Sequence, residues 1–118
     1  WIIGGDNGSF LSDVWYSSND NASSWTQAST SGSMWSARSG HTAVVFDGKL
    51  WVFGGNAGSG SLNSWSSTDG SVWSDAGAIA NETSRSGMGW AVMGNRLYIS
   101  GGYIGNNTYK DDVKKYGP

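Results

Sequence analysis

A pair of glycines closes an apolar run at three places in this chain, and the spacing of those closures restricts the fold more than any other feature. Gly4-Gly5 follows Trp1-Ile2-Ile3, Gly54-Gly55 follows Leu50-Trp51-Val52-Phe53, and Gly101-Gly102 follows Leu97-Tyr98-Ile99-Ser100. The second and third copies lie 47 positions apart, as do Arg38-Ser39-Gly40 and Arg85-Ser86-Gly87. The first and second lie 50 apart, as do Trp15 and Trp65, while Trp25 and Trp73 are 48 apart. Insertions in loops account for the differences. A repeat of this length is one supersecondary unit. It cannot bury its apolar faces alone, so neighbouring copies must stack.

Each unit reads as β-structure. Thr42 to Phe46 is a short apolar strand, Asp47-Gly48 is a hairpin turn whose residues tolerate positive φ, and Lys49 to Phe53 is rich in β-branched and aromatic residues. Asn56 to Ser61 is a Gly/Ser loop, Asn63 to Thr68 a third strand around Trp65, Asp69-Gly70 a second turn, and Ser71 to Asp75 a fourth strand around Trp73. Four short antiparallel strands without helical periodicity describe a propeller blade. With strands lettered a to d outward from the axis, the chain reads b-c-d over 1–29, a-b-c-d over 38–76 and a-b-c over 85–118. The expectation is an all-β, partial β-propeller of about two and a half blades. The remaining blades would come from a longer chain or from other copies.

These residues resemble the kelch-repeat family of β-propellers, which includes galactose oxidase-like proteins. The resemblance rests on the three double glycines, on Asp13-Val14-Trp15 and Asp112-Val113 in strand c, and on Trp25 and Trp73 in strand d. The second unit departs from it, with Ser64-Trp65 where the Asp-Val pair would stand. The c–d hairpins also resemble the Asp-box, a structural turn of sialidase-like propellers. Ser18, Asp20 and Trp25 keep its spacing with Ala22 at the glycine position, and Ser67, Asp69, Gly70 and Trp73 fall one residue short. Read this way, Gly4, Gly5, Trp15, Trp25, Gly54, Gly55, Trp65, Trp73, Gly101 and Gly102 build the repeat, with the tryptophans packing between blades.

Composition narrows the function. Eight tryptophans and 14% aromatic residues distinguish the chain from a flexible Gly/Ser linker despite its 19 glycines. A net charge of −2 gives no basic footprint for nucleic acid, and no window of about 18 apolar residues suggests membrane insertion. Without cysteine there is no thiol chemistry and no Cys-based zinc site. Asp6-Asn7-Gly8 and Asp111-Asp112 supply too few oxygens for calcium, and His41 is the sole histidine, so no metal or cofactor is expected.

The candidate ligand contacts are Arg38, Arg85, His41, Trp35, Glu82 and Tyr103. Arg38 and Arg85 stand at equivalent places before strand a. In the kelch domains that this chain resembles, arginines there face the channel mouth and meet acidic ligands, with a planar fork that matches a carboxylate; the alternative is that each pairs with an aspartate or with loop carbonyls. His41 follows at the entry to strand a, where a buried or hydrogen-bonded structural role is the alternative. Trp35 and Glu82 lie in the d–a loops, Ser29 to Ser39 and Gly77 to Ser86. Tyr103 opens the b–c loop Tyr103 to Thr108, and either aromatic ring is able to stack on a sugar or to pack over a blade end. Asn21-Ala22-Ser23, Asn81-Glu82-Thr83 and Asn106-Asn107-Thr108 match the N-glycosylation pattern. The leading expectation is a secreted or cell-surface module that binds a protein or a glycan through loops at one face. Two alternatives stand beside it: a carbohydrate-active enzyme, epimerase- or hydrolase-like, with its site partly outside this stretch, and a structural segment of a large surface protein.

Overall fold

The computed structural model describes residues 1–58, 63–78 and 85–117. Three antiparallel sheets carry the architecture. The first is β1 (Ile2–Asp6), β2 (Phe10–Tyr16) and β3 (Thr26–Gln27), in that order. The second is β4 (Thr42–Phe46), β5 (Lys49–Phe53), β6 (Ser64–Ser67) and β7 (Ser74–Gly77), a complete four-stranded blade. In the third, β8 (Gly89–Met93) pairs with β9 (Arg96–Ser100), and β9 pairs with β12 (Val113–Tyr116). Between β9 and β12, β10 (Tyr103–Gly105) and β11 (Thr108–Tyr109) form a hairpin of their own.

Sequence patterning and turn chemistry produce these strands. In β4 and β5, Asp47 and Gly48 both take positive φ, 52° and 71°, so the two-residue turn follows the strand twist. That turn sets a continuous register from Thr42 opposite Phe53 to Phe46 opposite Lys49. Alternation then divides each strand between its two neighbours. Leu50 and Val52 point at the first sheet, where they are buried with Ile3, Val14, Trp35, Trp65 and Trp73. Val44 and Phe53 point at the third sheet and are buried with Leu97 and Ile99. Both clusters lie between sheets, which is how stacked blades bury surface that none could bury alone.

Several expectations change in detail. The fourth strand of the second sheet runs Ser74–Gly77, not Ser71 to Asp75, because the Asp69 turn occupies Ser71 and Val72. Strand pairing places Asn63-Ser64, not Ser64-Trp65, level with Asp13-Val14 and Asp112-Val113: Val52 faces Trp65, while Ile3 faces Val14 and Ser100 faces Val113. The hub of the first c–d turn is Asn19 with Ser17, not Asp20 with Ser18. The Asn19 carboxamide oxygen accepts from the Ser17 hydroxyl at 2.8 Å and the Ser23 amide at 3.1 Å. In the second turn, Asp69 accepts from the Ser71 and Val72 amides, and the Trp73 indole donates to the Gly70 carbonyl at 3.1 Å. Those bonds to the carboxylate hold Asp69 below its ordinary pKa. Finally, Tyr103 to Thr108 is no open loop, because Asn106 and Asn107 both take positive φ and close the β10–β11 hairpin.

Candidate interaction surface

Arg38 and Arg85 repeat one device. The Arg38 backbone lies on the first sheet, where its amide donates to the Leu11 carbonyl at 3.0 Å and its carbonyl accepts from the Gly5 amide at 2.9 Å. Its guanidinium reaches into the second sheet and donates to the Gly54 and Asn63 carbonyls at 3.2 and 3.1 Å. One sheet further on, the Arg85 carbonyl accepts from the Gly55 amide at 2.8 Å. Its guanidinium donates to the Gly101 carbonyl at 2.9 Å and pairs with Asp112 at 2.7 Å. Each arginine therefore fastens one blade to the next. Arg38 is 0% exposed and Arg85 3%, so neither fork reaches the loop surface where an acidic ligand would meet it. Burial lowers the Arg38 pKa, and the hydrogen bond from Arg85 lowers that of Asp112.

The double glycines are the receiving half of this fastening. A Cβ at Gly54 would run into the Arg85 carbonyl oxygen, and one at Gly4 would stand 2.9 Å from His41 Cε1 and 3.1 Å from the Arg38 carbonyl oxygen. Both glycines also have φ above 60°, which side chains disfavour.

His41 sits at the same junction, with its ring beside Trp35 and the Arg38 guanidinium 6.0 Å over the Trp35 ring. Burial is the chief cause of its lowered pKa. The nearby Arg38 charge adds to that effect, and hydrogen bonding to the Ile3 and Arg38 backbones opposes it. Trp35 is 2% exposed and meets Trp73 edge-on at 5.9 Å, so it offers no face to a ligand. Glu82 lies outside the described residues.

Among the described residues, Tyr103 is the one exposed candidate. Its backbone is fixed by two hydrogen bonds with Ser86, of 2.9 and 2.8 Å, which tie the hairpin to the segment leading into β8. Its ring lies 5.1 Å from that of Tyr109, inclined by 48°. Tyr103 is 37% exposed and Tyr109 74%. Tyr109 drew no notice in the sequence, because its partnership with Tyr103 depends on the Asn-Asn turn being recognised. Around this pair the b–c and d–a turns share one end of the sheets, as the Ser39–Asn56 and Ser86–Tyr103 bridges show. Among the described residues, Asn7, Ser9, Gly40, Asn56, Gly87 and Asn106 stand exposed in those turns, and Asp6 is turned onto the Gly8 amide at 2.7 Å. Among the described residues, no three His, Asp or Glu side chains gather as metal ligands.

Stacked antiparallel blades joined by repeated arginine fasteners define a partial β-propeller. The sequence model of the KLHDC2/KLHL20/DRC7 Kelch-repeats domain matches residues 1–117. The chain belongs to the kelch-repeat family. A search of curated proteins returned no match.

Proposed function

We propose that this chain, like kelch-repeat domains in general, is a protein-interaction module. It binds its partner through the end of the sheets formed by the b–c and d–a turns, with Tyr103 and Tyr109 as anchors. The observation that carries this reading is the exposed tyrosine pair on a hairpin fixed by the Asn106-Asn107 turn and the Ser86 bonds. Tyrosine gives large contact area at small cost in side-chain entropy, and a fixed backbone leaves little to order on binding. The Asn, Ser and Gly residues around it give adaptable hydrogen bonding, the composition seen in antibody paratopes.

The test is a random peptide library panned on the immobilised chain, with the selected clones re-measured on a Tyr103→Ala/Tyr109→Ala variant. Both side chains are exposed, so circular dichroism should be unchanged. The reading expects at least a tenfold loss of affinity for most clones. Clones indifferent to the tyrosines but lost on changing the c–d turn at Ser71 would place the surface at the opposite end. A glycan is the second reading, favoured by the open Tyr109 ring. Saturable binding to an oligosaccharide array, with no peptide clone recovered, would support it.

A further inference from the structure

Asn7-Gly8 is the one asparagine–glycine step in the sequence, and it forms the turn between β1 and β2. Asp6, Asn7, Gly8 and Ser9 are all exposed there. An asparagine side chain is open to attack by the backbone nitrogen of the residue that follows it. A side chain on that residue crowds the attack, and glycine has none. Two hydrogen bonds prepare the reacting groups. The Gly8 amide donates to Asp6 Oδ1 at 2.7 Å, so a carboxylate already stands on the nitrogen that must lose its proton. The Ser9 amide donates to Asn7 Oδ1 at 3.4 Å, where negative charge gathers during attack. Elsewhere the following residue carries a side chain: Asn19, Asn21, Asn56 and Asn106 precede Asp20, Ala22, Ala57 and Asn107.

We propose that Asn7 is a site of spontaneous modification, converted to aspartate and isoaspartate through a cyclic imide. The Gly8 nitrogen gives its proton to the Asp6 carboxylate and attacks Asn7 Cγ. The new N–Cγ bond forms, the Cγ–Nδ2 bond breaks, and Nδ2 leaves as ammonia with that proton. Water then opens the imide at either carbonyl. Opening at the side-chain carbonyl gives aspartate, and opening at the backbone carbonyl gives isoaspartate, with the main chain rerouted through Cβ and Cγ. Either product carries a negative charge that Asn7 lacks, next to Asp6. The charge falls on a b–c turn, at the end of the sheets assigned to binding, but the chemistry does not depend on that role. All the groups involved lie within four consecutive residues.

The experiment incubates the folded chain near neutral pH at body temperature and follows each asparagine by peptide mapping, which separates the asparaginyl, aspartyl and isoaspartyl forms. Asn7 is expected to convert roughly tenfold faster than Asn56 or Asn106, with ammonia released in step. Asp6→Asn keeps an acceptor for the Gly8 amide but removes the base, and should slow conversion at Asn7 roughly tenfold. In urea, which abolishes the turn, that difference should vanish. Conversion at Asn7 no faster than at Asn56 would overturn the proposal, as would a rate unaffected by D6N. An effect of D6N equally large in urea would also overturn it, because the turn would then play no part. If D6N failed to fold, the parent chain would decide the matter: conversion faster in buffer than in urea supports the proposal, and slower conversion overturns it.

Discussion

Ala22 has φ of 51°, in the left-handed region where a side chain is strained, and it occupies the glycine position of the Asp-box spacing. Ala22→Gly is expected to raise stability by about 0.5–1 kcal/mol, the relief being partly offset by unfolded-state entropy, as urea titration would show. Arg38 is a case of the opposite kind. Arg38→Met would leave the Gly54 and Asn63 carbonyls without their donor inside the blade junction, costing on the order of 3 kcal/mol. Loss of acidic-ligand binding with unchanged stability would contradict that assignment. His41 makes the junction sensitive to pH. Its folded-state pKa lies below the ordinary 6.5, so the unfolded chain takes up the proton first on acidification. The stability associated with neutral His41 is complete above about pH 6.5 and is lost as pH falls through the folded-state value. Met88 stands at the equivalent place one repeat later, so His41→Met should flatten the stability profile between pH 8 and 5. The facing charged group is Arg38, which does not titrate there. The equivalent places of Arg38 and Arg85 were plain in the sequence, which left open whether they meet a ligand or pair with an aspartate or loop carbonyls. The groups that fix them, the Gly54 and Asn63 carbonyls for Arg38 and the Gly101 carbonyl and Asp112 carboxylate for Arg85, lie 16 to 27 positions away, and only folding brings them together.

At the scale of elements, the strands with strong local signals were legible. Thr42–Phe46 and Lys49–Phe53 match their expected limits because Asp47-Gly48 demands one turn type and alternating burial demands one register. The fourth strand of the second sheet was placed too early because Trp73 was read as its centre, whereas its indole is held back on the Gly70 carbonyl and the strand begins after it. The β10–β11 hairpin escaped notice because Asn-Asn is a weaker signal of positive φ than Asn-Gly. Asn107→Gly should therefore tighten the hairpin, and Asn106→Ala should loosen it by about 1 kcal/mol. Amide exchange at Thr108 would report both, slower in N107G and faster in N106A. No change in either would mean that the turn does not set the hairpin.

For the whole molecule, burial is concentrated between sheets, so stability should depend on the residues that span them. Trp35 touches both walls of the first interface, and Trp35→Ala is expected to cost about 3–5 kcal/mol, measured by thermal or denaturant unfolding. Apolar side chains also remain open on the outward sides of the end sheets, with Ile2 52%, Trp25 39%, Met93 61% and Val113 67% exposed. These are faces of the same kind as those that bury Val52, Trp73, Phe46 and Ser64 inside, and they account for why blades occur in stacks. The molecule divides into a fastened interior and a tyrosine-bearing end. Hydrogen–deuterium exchange across the chain, with and without a peptide selected on it, tests that division most directly. It predicts new protection at Tyr103–Tyr109, Ser86–Gly87 and Ser39–Gly40, with the outer strands β3 and β7 unchanged. Protection confined to β3, β7 and the turn at Asp69 would contradict it.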